Sequence, residues 1–426
     1  MRKIIMTAAA AVFSTSVFAE AQKPVEVSFS AEGIFYGTTY KSTVKNENGS
    51  YSAIQFAPSI SIKKGIVEGV LSLEYNGLYG VNPSENADTS EDVGLGGGKI
   101  RLEVAEAYFK TSIQSLPGLS IKAGIAELDY GMVFGDNAPL AGFSYESEKT
   151  GFNAFYVKTY EGDYNKNSDD SSIFWFDGFI NLGESKLKPG FFVTRTKANS
   201  DGQFRDSTGY IGAINANLVF GSAGVDFTGA FASGKDKVED IKYRGYAFDA
   251  APHLTPMEGI KIGAFFTAVS GDNSTTADKN ESFLFSTIDG TGAGINNFRL
   301  YIVEDGGSFS SITDVTNAGK YGIDTDGDGE SDLAPGYYAA GLSFEGSYGD
   351  FSAKLQGAYV SAMKAPSGWS KRMGVEIDAN LSYALSPEAS IFAEGAFLSS
   401  SKFYEFGGVQ DKQNSYYGIL GMTYTL

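Results

Sequence analysis

The sequence predicts an all-β protein: a transmembrane, antiparallel, up-and-down β-barrel of about eighteen strands, with sixteen or twenty as the alternatives. Three observations carry that prediction. Apolar and polar residues alternate at period two along most of the chain, and helical periodicity is nearly absent. The breaks in that alternation come short and long by turns with no slip in parity, as the two rims of a barrel require. The composition is polar yet rich in glycine and aromatics, with 42% hydrophobic residues, Gly 53, Tyr 25 and Phe 32. A mean hydropathy of −0.14 excludes a helical membrane bundle, and the aromatic load excludes disorder.

From the N-terminus, Arg2 and Lys3 precede an apolar stretch from Ile4 to Phe18, with Val17 and Ala19 at the small-residue positions of a cleavage site. This predicts a signal peptide over residues 1–19, cut near Ala19. A buried N-terminal helix is the other reading. Cleavage removes two positive charges and leaves the barrel, residues 20–426, near −20 (−18 minus +2). The expected destination is the outer membrane of a Gram-negative-type cell, in contact with its lipids.

Strands are expected to start near 25, 51, 66, 99, 119, 141, 152, 171, 187, 208, 223, 241, 259, 336, 351, 371, 389 and 415. Over 66–76, Val67, Gly69, Leu71, Leu73 and Tyr75 alternate with Glu68, Val70, Ser72, Glu74 and Asn76. Over 372–384, Met373, Val375, Ile377, Ala379 and Leu381 alternate with Arg372, Glu376, Asp378 and Asn380. Short breaks fall at 63–65, 114–118, 149–151, 183–186, 221–223, 252–258, 348–350 and 385–388. Long ones fall at 41–50, 80–98, 129–140, 161–170, 200–207, 235–240, 271–335, 365–370 and 400–414. A soluble sandwich also alternates, but has no reason to keep that asymmetry. The phase blurs at Glu106, which a β-bulge explains. Within the long outer loop 271–335, Ser282–Ile288 and Asn297–Val303 are either an extra hairpin or loop structure. Tyrosines at strand ends (Tyr36 and Tyr40, Tyr75 and Tyr79, Tyr337 and Tyr338, Tyr416 and Tyr417) suit interfacial girdles. Tyrosine is also simply a good strand residue.

Several function classes fall away. The charge of −18 argues against nucleic acid. With no Cys and one His, thiolate sites, disulfides and most histidine-based sites are excluded. His253 sits in Pro-His-Leu-Thr-Pro and reads as a turn residue, so no catalytic set forms around it and no enzyme is expected. Gly94–Gly98 lacks the lysine and the strand–helix context of a phosphate loop. Trp175 and Trp369 read as barrel and loop aromatics.

Three stretches carry a family resemblance: Ala105-Glu106-Ala107-Tyr108-Phe109, Gly118-Leu119-Ser120-Ile121-Lys122-Ala123-Gly124 and Leu128-Asp129-Tyr130-Gly131. Together with the whole-chain pattern, they resemble bacterial outer-membrane porins, including the fourth and fifth strands of alginate-export-like barrels. Ser270-Gly271-Asp272, followed by an acidic loop and Phe283, resembles the long late loop of those proteins. The pattern departs at Ile125 and Ala126, where an arginine is usual, and at Leu426, where a final aromatic is typical. The resemblance implies passive diffusion of ions and small polar solutes. A substrate-selective barrel for a sugar or anionic polymer is an alternative, as is a surface barrel with a plugged pore.

If the apolar face meets lipid, the other face lines a lumen. The expected pore-lining residues are Glu68, Glu74, Arg101, Glu103, Asp177, Asp226, Lys354, Arg372, Glu376, Asp378 and Glu394, with Glu26, Glu32, Lys63, Lys122 and Glu345 on the same face. Acids outnumber bases there, which predicts a mild cation preference. Loop 129–140 is apolar, with Met132, Val133, Phe134 and Leu140, and is expected to fold inward or pack on the rim. Asp136 and Asn137 are then constriction candidates. Asp324, Asp326, Asp328, Glu330 and Asp332, with Gly329 between, match the front of a calcium loop. Position twelve is Pro335 and no helices flank it, so the pattern is nearer to short extracellular calcium repeats; a solvated acidic loop tip is the other reading. Gly212, Ala216 and Gly229 suit a close lipid-facing seam in a homotrimer.

Overall fold

A computed structural model describes residues 24–41, 48–79, 98–130, 135–160, 171–197, 206–237, 240–272, 278–283, 299–302, 335–365, 368–403 and 414–426. The proposed signal peptide and the Asp324–Asp332 motif lie outside them.

Nineteen strands follow in order: β1 (Val25–Lys41), β2 (Asn48–Lys64), β3 (Val67–Tyr79), β4 (Gly98–Ser112), β5 (Leu119–Asp129), β6 (Gly135–Glu146), β7 (Thr150–Tyr160), β8 (Ser171–Leu182), β9 (Ser185–Thr196), β10 (Ser207–Phe220), β11 (Ala223–Asp236), β12 (Lys242–Met257), β13 (Ile260–Val269), β14 (Lys279–Asn280), β15 (Tyr337–Tyr348), β16 (Phe351–Ala362), β17 (Arg372–Ser386), β18 (Ala389–Ser400) and β19 (Ser415–Thr425). Eighteen of them make a closed antiparallel barrel. Each pairs with its sequence neighbours, β13 pairs with β15, and Glu32 of β1 opposite Thr425 of β19 completes the ring. The two-residue β14 lies outside that ring and runs parallel to the start of β12. Residues 299–302 form no strand, so the extra hairpin is not made from them. Closure gives every barrel strand a partner on both sides, which is the condition for a sheet to stand in lipid, although β4 and β5 are paired only from Ala107 with Ile125 to Ser112 with Ser120.

Alternation becomes two faces. In β8, Phe174 and Phe176 are exposed and point outward, while Ile173 and Trp175 are buried inside. The same outward row carries Leu102, Phe109, Phe191, Phe231, Leu342 and Leu420, all exposed. An apolar outer belt of this extent is a surface for lipid. At the short-turn rim most connections are two residues long, with three at 147–149 and six at 113–118; at Gly183 (φ 67) a Cβ would meet nothing within 4 Å, so backbone conformation alone asks for glycine. The placement Gly212, Ala216 and Gly229 is outward, with Gly212 opposite Phe231 and Ala216 opposite Phe227.

Bulges shift the register at several places, and two of them bear on the candidate residues. Ser72 pairs with Glu106 and Leu73 with Val104, leaving Ala105 extra, at the point where the sequence phase blurs. In β17, Val360 pairs with Gly374 but Ser361 pairs with Arg372, so Met373 is extra. Met373 is fully buried on the inside, and Gly374 (φ 154) has the Ser399 carbonyl oxygen 2.3 Å from where a Cβ would stand. This corrects the assignment of Arg372: it stands on the outward face beside Ser361, not in the lumen. The parity rule fails there because a bulge consumes one residue.

Two more expectations change. β6 begins at Gly135, so Asp136–Leu140 is strand paired with β5, not loop. Ala138 and Leu140 find their cover on the inner face, and Asn137 stands opposite Glu127 on the other face. Asn137 is therefore not a constriction residue, and Asp136 is placed opposite Leu128. His253 lies within β12 opposite Gly263, not in the turn; a register shift between Leu254 and Met257 absorbs the second proline. Among the tyrosines, Tyr36, Tyr337 and Tyr417 are buried inside, because one of two consecutive strand residues must face inward.

Candidate functional site

The interior of the barrel is lined in two ways. Along β5–β10 the lining carries an apolar patch. Ala126, Leu128, Ala138, Leu140, Phe155, Val157, Ile173, Phe192 and Ile211 are all buried there. Trp175 and Phe192 meet edge to face with centroids 4.5 Å apart. Onto this wall folds Tyr130, the residue after β5. Its ring packs edge-on against Phe192 at 5.0 Å and Trp175 at 6.3 Å. Its hydroxyl donates to the carbonyls of Lys188 and Ala213, the latter at 3.2 Å. The connection thus turns inward at its first residue; Met132, Val133 and Phe134 lie outside the described residues.

Along β12–β19 the lining carries carboxylates, and the late loop is fastened to them. Arg299 grips Asp249 of β12 with Nη2 at 2.7 Å and Nε at 3.0 and 3.1 Å from the two oxygens. Thr267 of β13 adds a third donor to Asp249 at 2.9 Å. The Tyr301 amide donates to Asp378 at 3.4 Å, and the Ile302 amide donates to Glu376 at 2.5 Å. Gln356 of β16 donates to the Arg299 carbonyl and, at 2.9 Å, to Asp378. Tyr301 stacks on Tyr417 with centroids 6.4 Å apart, and Tyr417 donates to Glu394 at 2.9 Å. Glu376, Asp378 and Glu394 are buried, as are Leu300 and Ile302. A carboxylate that accepts backbone N–H bonds holds a chain segment without a partner charge of its own. Burial, with Glu394, Asp378 and Glu345 around it, pushes the Tyr301 phenol above its ordinary value.

The other sequence candidates are scattered around the wall. Glu74 accepts from Gln55 at 2.7 Å and Asn76 at 2.6 Å and stands opposite Glu103. Glu68 stands opposite Lys63 and Lys110 and accepts from Ser61 at 3.3 Å. Asp177 accepts from Trp175 at 2.6 Å and Asn153 at 3.3 Å. Asp226 takes Asn217 at 2.7 Å and Lys261 at 3.4 Å, with His253 at 3.6 Å. Lys354 stands opposite Glu345. Below the fastened segment, Lys261, Glu345, Lys354 and Asn380 line a recess of about 550 Å³. Arg101 holds the position opposite Asn76. Sequence reasoning named Glu376, Asp378 and Glu394 among the inward-facing candidates, and the structure brings them to one wall; it missed Asp249 and Arg299. Asp249 lies in a strand whose phase is blurred, and nothing local marks Arg299 as its partner fifty residues on. Among the described residues no group of three or more acids or histidines is arranged to hold a metal ion.

No protein-family model matches the chain, and no curated protein matches it in sequence. Solved structures do match. Pseudomonas aeruginosa OccK8 (OprE) aligns with a TM-score of 0.58 at 10% identity, over 94% of this chain and 98% of that one. OccK9 (OpdG) of the same organism gives 0.57 at 10% identity, and OccK5 (OpdH) 0.56 at 11%, each over 94% of this chain and 98% of its own. At this identity the likeness is one of fold. The eighteen-stranded closed antiparallel barrel, the apolar belt and these matches together give the chain the fold of the bacterial outer-membrane porins.

Proposed function

We propose that the chain is an outer-membrane channel through which ions and small polar solutes diffuse, with a mild preference for cations. The observation that carries this reading is the Arg299–Ile302 segment, fastened inside a closed barrel on Asp249, Glu376 and Asp378. A segment bonded at that depth narrows the lumen, and it leaves charge on the wall that solutes must pass. The structures that the chain resembles are outer-membrane channels, some distance away in sequence. Acid in a low-dielectric constriction favours cations. Arg299, Lys261 and Lys354 stand on the same wall, so the preference is weak.

Planar-bilayer recording of the folded protein in a KCl gradient tests this. Stable channels with a cation-leaning reversal potential are expected; an anion-selective pore would reject the wall assignment and favour a carrier of anionic polymers. One observation favours the plugged-barrel alternative: Phe283, Leu300 and Ile302 are buried inside the barrel. That alternative predicts folded barrels that conduct nothing. Calcium at Asp324–Asp332 is proposed on spacing alone, with a role in ordering the outer loop, and calorimetric titration of wild type against Asp328→Asn tests it.

A further inference from the structure

The outward side of the long-loop rim carries a run of positive charge, on a chain whose formal net charge is −18. Arg244 stands opposite Ser233 in the row that continues through Tyr246, which is exposed on the outer surface. Its guanidinium lies over the outward ring of Phe231, 5.6 Å from the centroid. Arg372 is turned outward by the Met373 bulge. Lys371 beside it donates to the Met363 carbonyl at 2.9 Å, and the Tyr246 hydroxyl reaches the same residue's sulfur at 3.8 Å. These contacts join the groups into one arc from β12 to β17. Four inter-strand steps of 4.8 Å make it roughly 19 Å wide.

The level of the arc is fixed by its neighbours. Phe231, Tyr359 and Val375, exposed on the belt, lie directly below. A charge on the lipid face costs about 2–4 kcal/mol at the midplane and almost nothing at the interface, so these groups belong at the headgroups. Neither guanidinium has a carboxylate partner among the described residues, whereas Lys364 nearby is neutralised by Glu281 at 3.1 Å. A planar guanidinium held against an aromatic face, with its N–H edge free, is matched by a phosphate, which it can take in bidentate fashion.

We propose that the arc is a binding site for a phosphorylated lipid of the outer leaflet, held by Arg244 and Arg372 with Lys371 between them. This rests on the reading of the chain as a membrane barrel but not on its conducting. The test is native mass spectrometry of the full chain in detergent with a diphosphorylated glucosamine-disaccharide lipid, and with the same lipid stripped of phosphate. Variant R244Q/R372Q is expected to bind the phosphorylated lipid about 30-fold more weakly, from about 1 kcal/mol per basic group. A K149Q/K186Q control, which removes the same charge at the opposite rim, is expected to bind as wild type. Heat-modifiable gel mobility verifies folding of each variant. Equal binding by R244Q/R372Q, or equal binding of the stripped lipid, overturns the proposal. So does displacement of the lipid by millimolar inorganic phosphate, which would mark a site for free anions. Bilayer conductance of the same samples separates the two readings: a silent barrel that still holds the lipid rejects the channel and keeps this site.

Discussion

Two residues that lie beyond strand ends bend into the barrel, Tyr130 and Arg299, and they are held by opposite physics. Tyr130 lies on an apolar wall. Its ring is gripped by Trp175 and Phe192, and its hydroxyl needs only two carbonyls. Arg299 lies on a charged wall, and its fastening is an ion pair followed by two amides on carboxylates. Apolar contact neither titrates nor is screened by salt, and it offers solutes little polar handhold. The charged fastening depends on both and leaves the wall polar. One side of the lumen therefore reads as structural fill, the other as the side past which solutes move.

The sharpest way to break this contrast is to remove the centre of the apolar wall. Trp175→Ala is expected to cost about 4 kcal/mol, as for large aromatic truncations, and to lower the temperature at which gel mobility shifts. Ion selectivity should not change; a changed reversal potential would mean that the apolar wall also faces the path. Arg299→Ala comes next, at about 3 kcal/mol, because Asp249 is left buried without its partner. Single-channel conductance should rise as the segment comes away. Unchanged conductance with lost stability would make Arg299 a structural latch only. Tyr130→Phe keeps the ring and deletes the two hydroxyl bonds, so about 1 kcal/mol is expected by thermal denaturation, with conductance as wild type.

The smallest effect sharpens the salt and pH side of the comparison. At the rim between β9 and β11, burial alone would raise the Asp206 carboxyl, but Lys197 at 2.9 Å and Lys237 at 3.4 Å hold it below its ordinary value. A lowered carboxyl contributes stability that is full above the ordinary carboxylate range and is lost as pH falls through the lowered value. The group is partly exposed, so the contribution is below about 1 kcal/mol. Wild type should melt slightly above Asp206→Asn at neutral pH, and the gap should close below about pH 4. A gap that persists there would assign the effect to packing.

The barrel itself was legible because its signal is repeated eighteen times: period two, with turns that keep parity. Glu106 was legible as a bulge because its strand carries clear phase on both sides. Arg372 was misread for the converse reason. The extra residue, Met373, is apolar and fits either phase, so nothing in the local pattern reports the shift. The start of β6 was misread as loop because an apolar stretch with proline and glycine looks like one, whereas Ala138 and Leu140 in fact cover the inner wall. The inner apolar lining was invisible to a rule that sends every apolar residue to lipid. Trp175, Phe192 and Tyr337 obey alternation but on the inner side, since chain bent into the lumen offers cover of its own. The Asp249–Arg299 pair is a contact between distant positions, and period-two patterning carries no information about such pairs.

The seam between β1 and β19 has a kinetic consequence. Every other barrel pairing joins strands separated by a single connection, and each can form as soon as its two members are present. The seam joins positions almost the whole chain apart, Glu32 with Thr425. Its entropy of closure grows only slowly with that distance, but nothing local rewards it in advance. Until it zips, the growing sheet has two raw edges, each a template for a stranger's strand. The hazardous moment in the life of this protein is therefore the interval before its first and last strands meet, and any helper of its assembly has those two edges to guard.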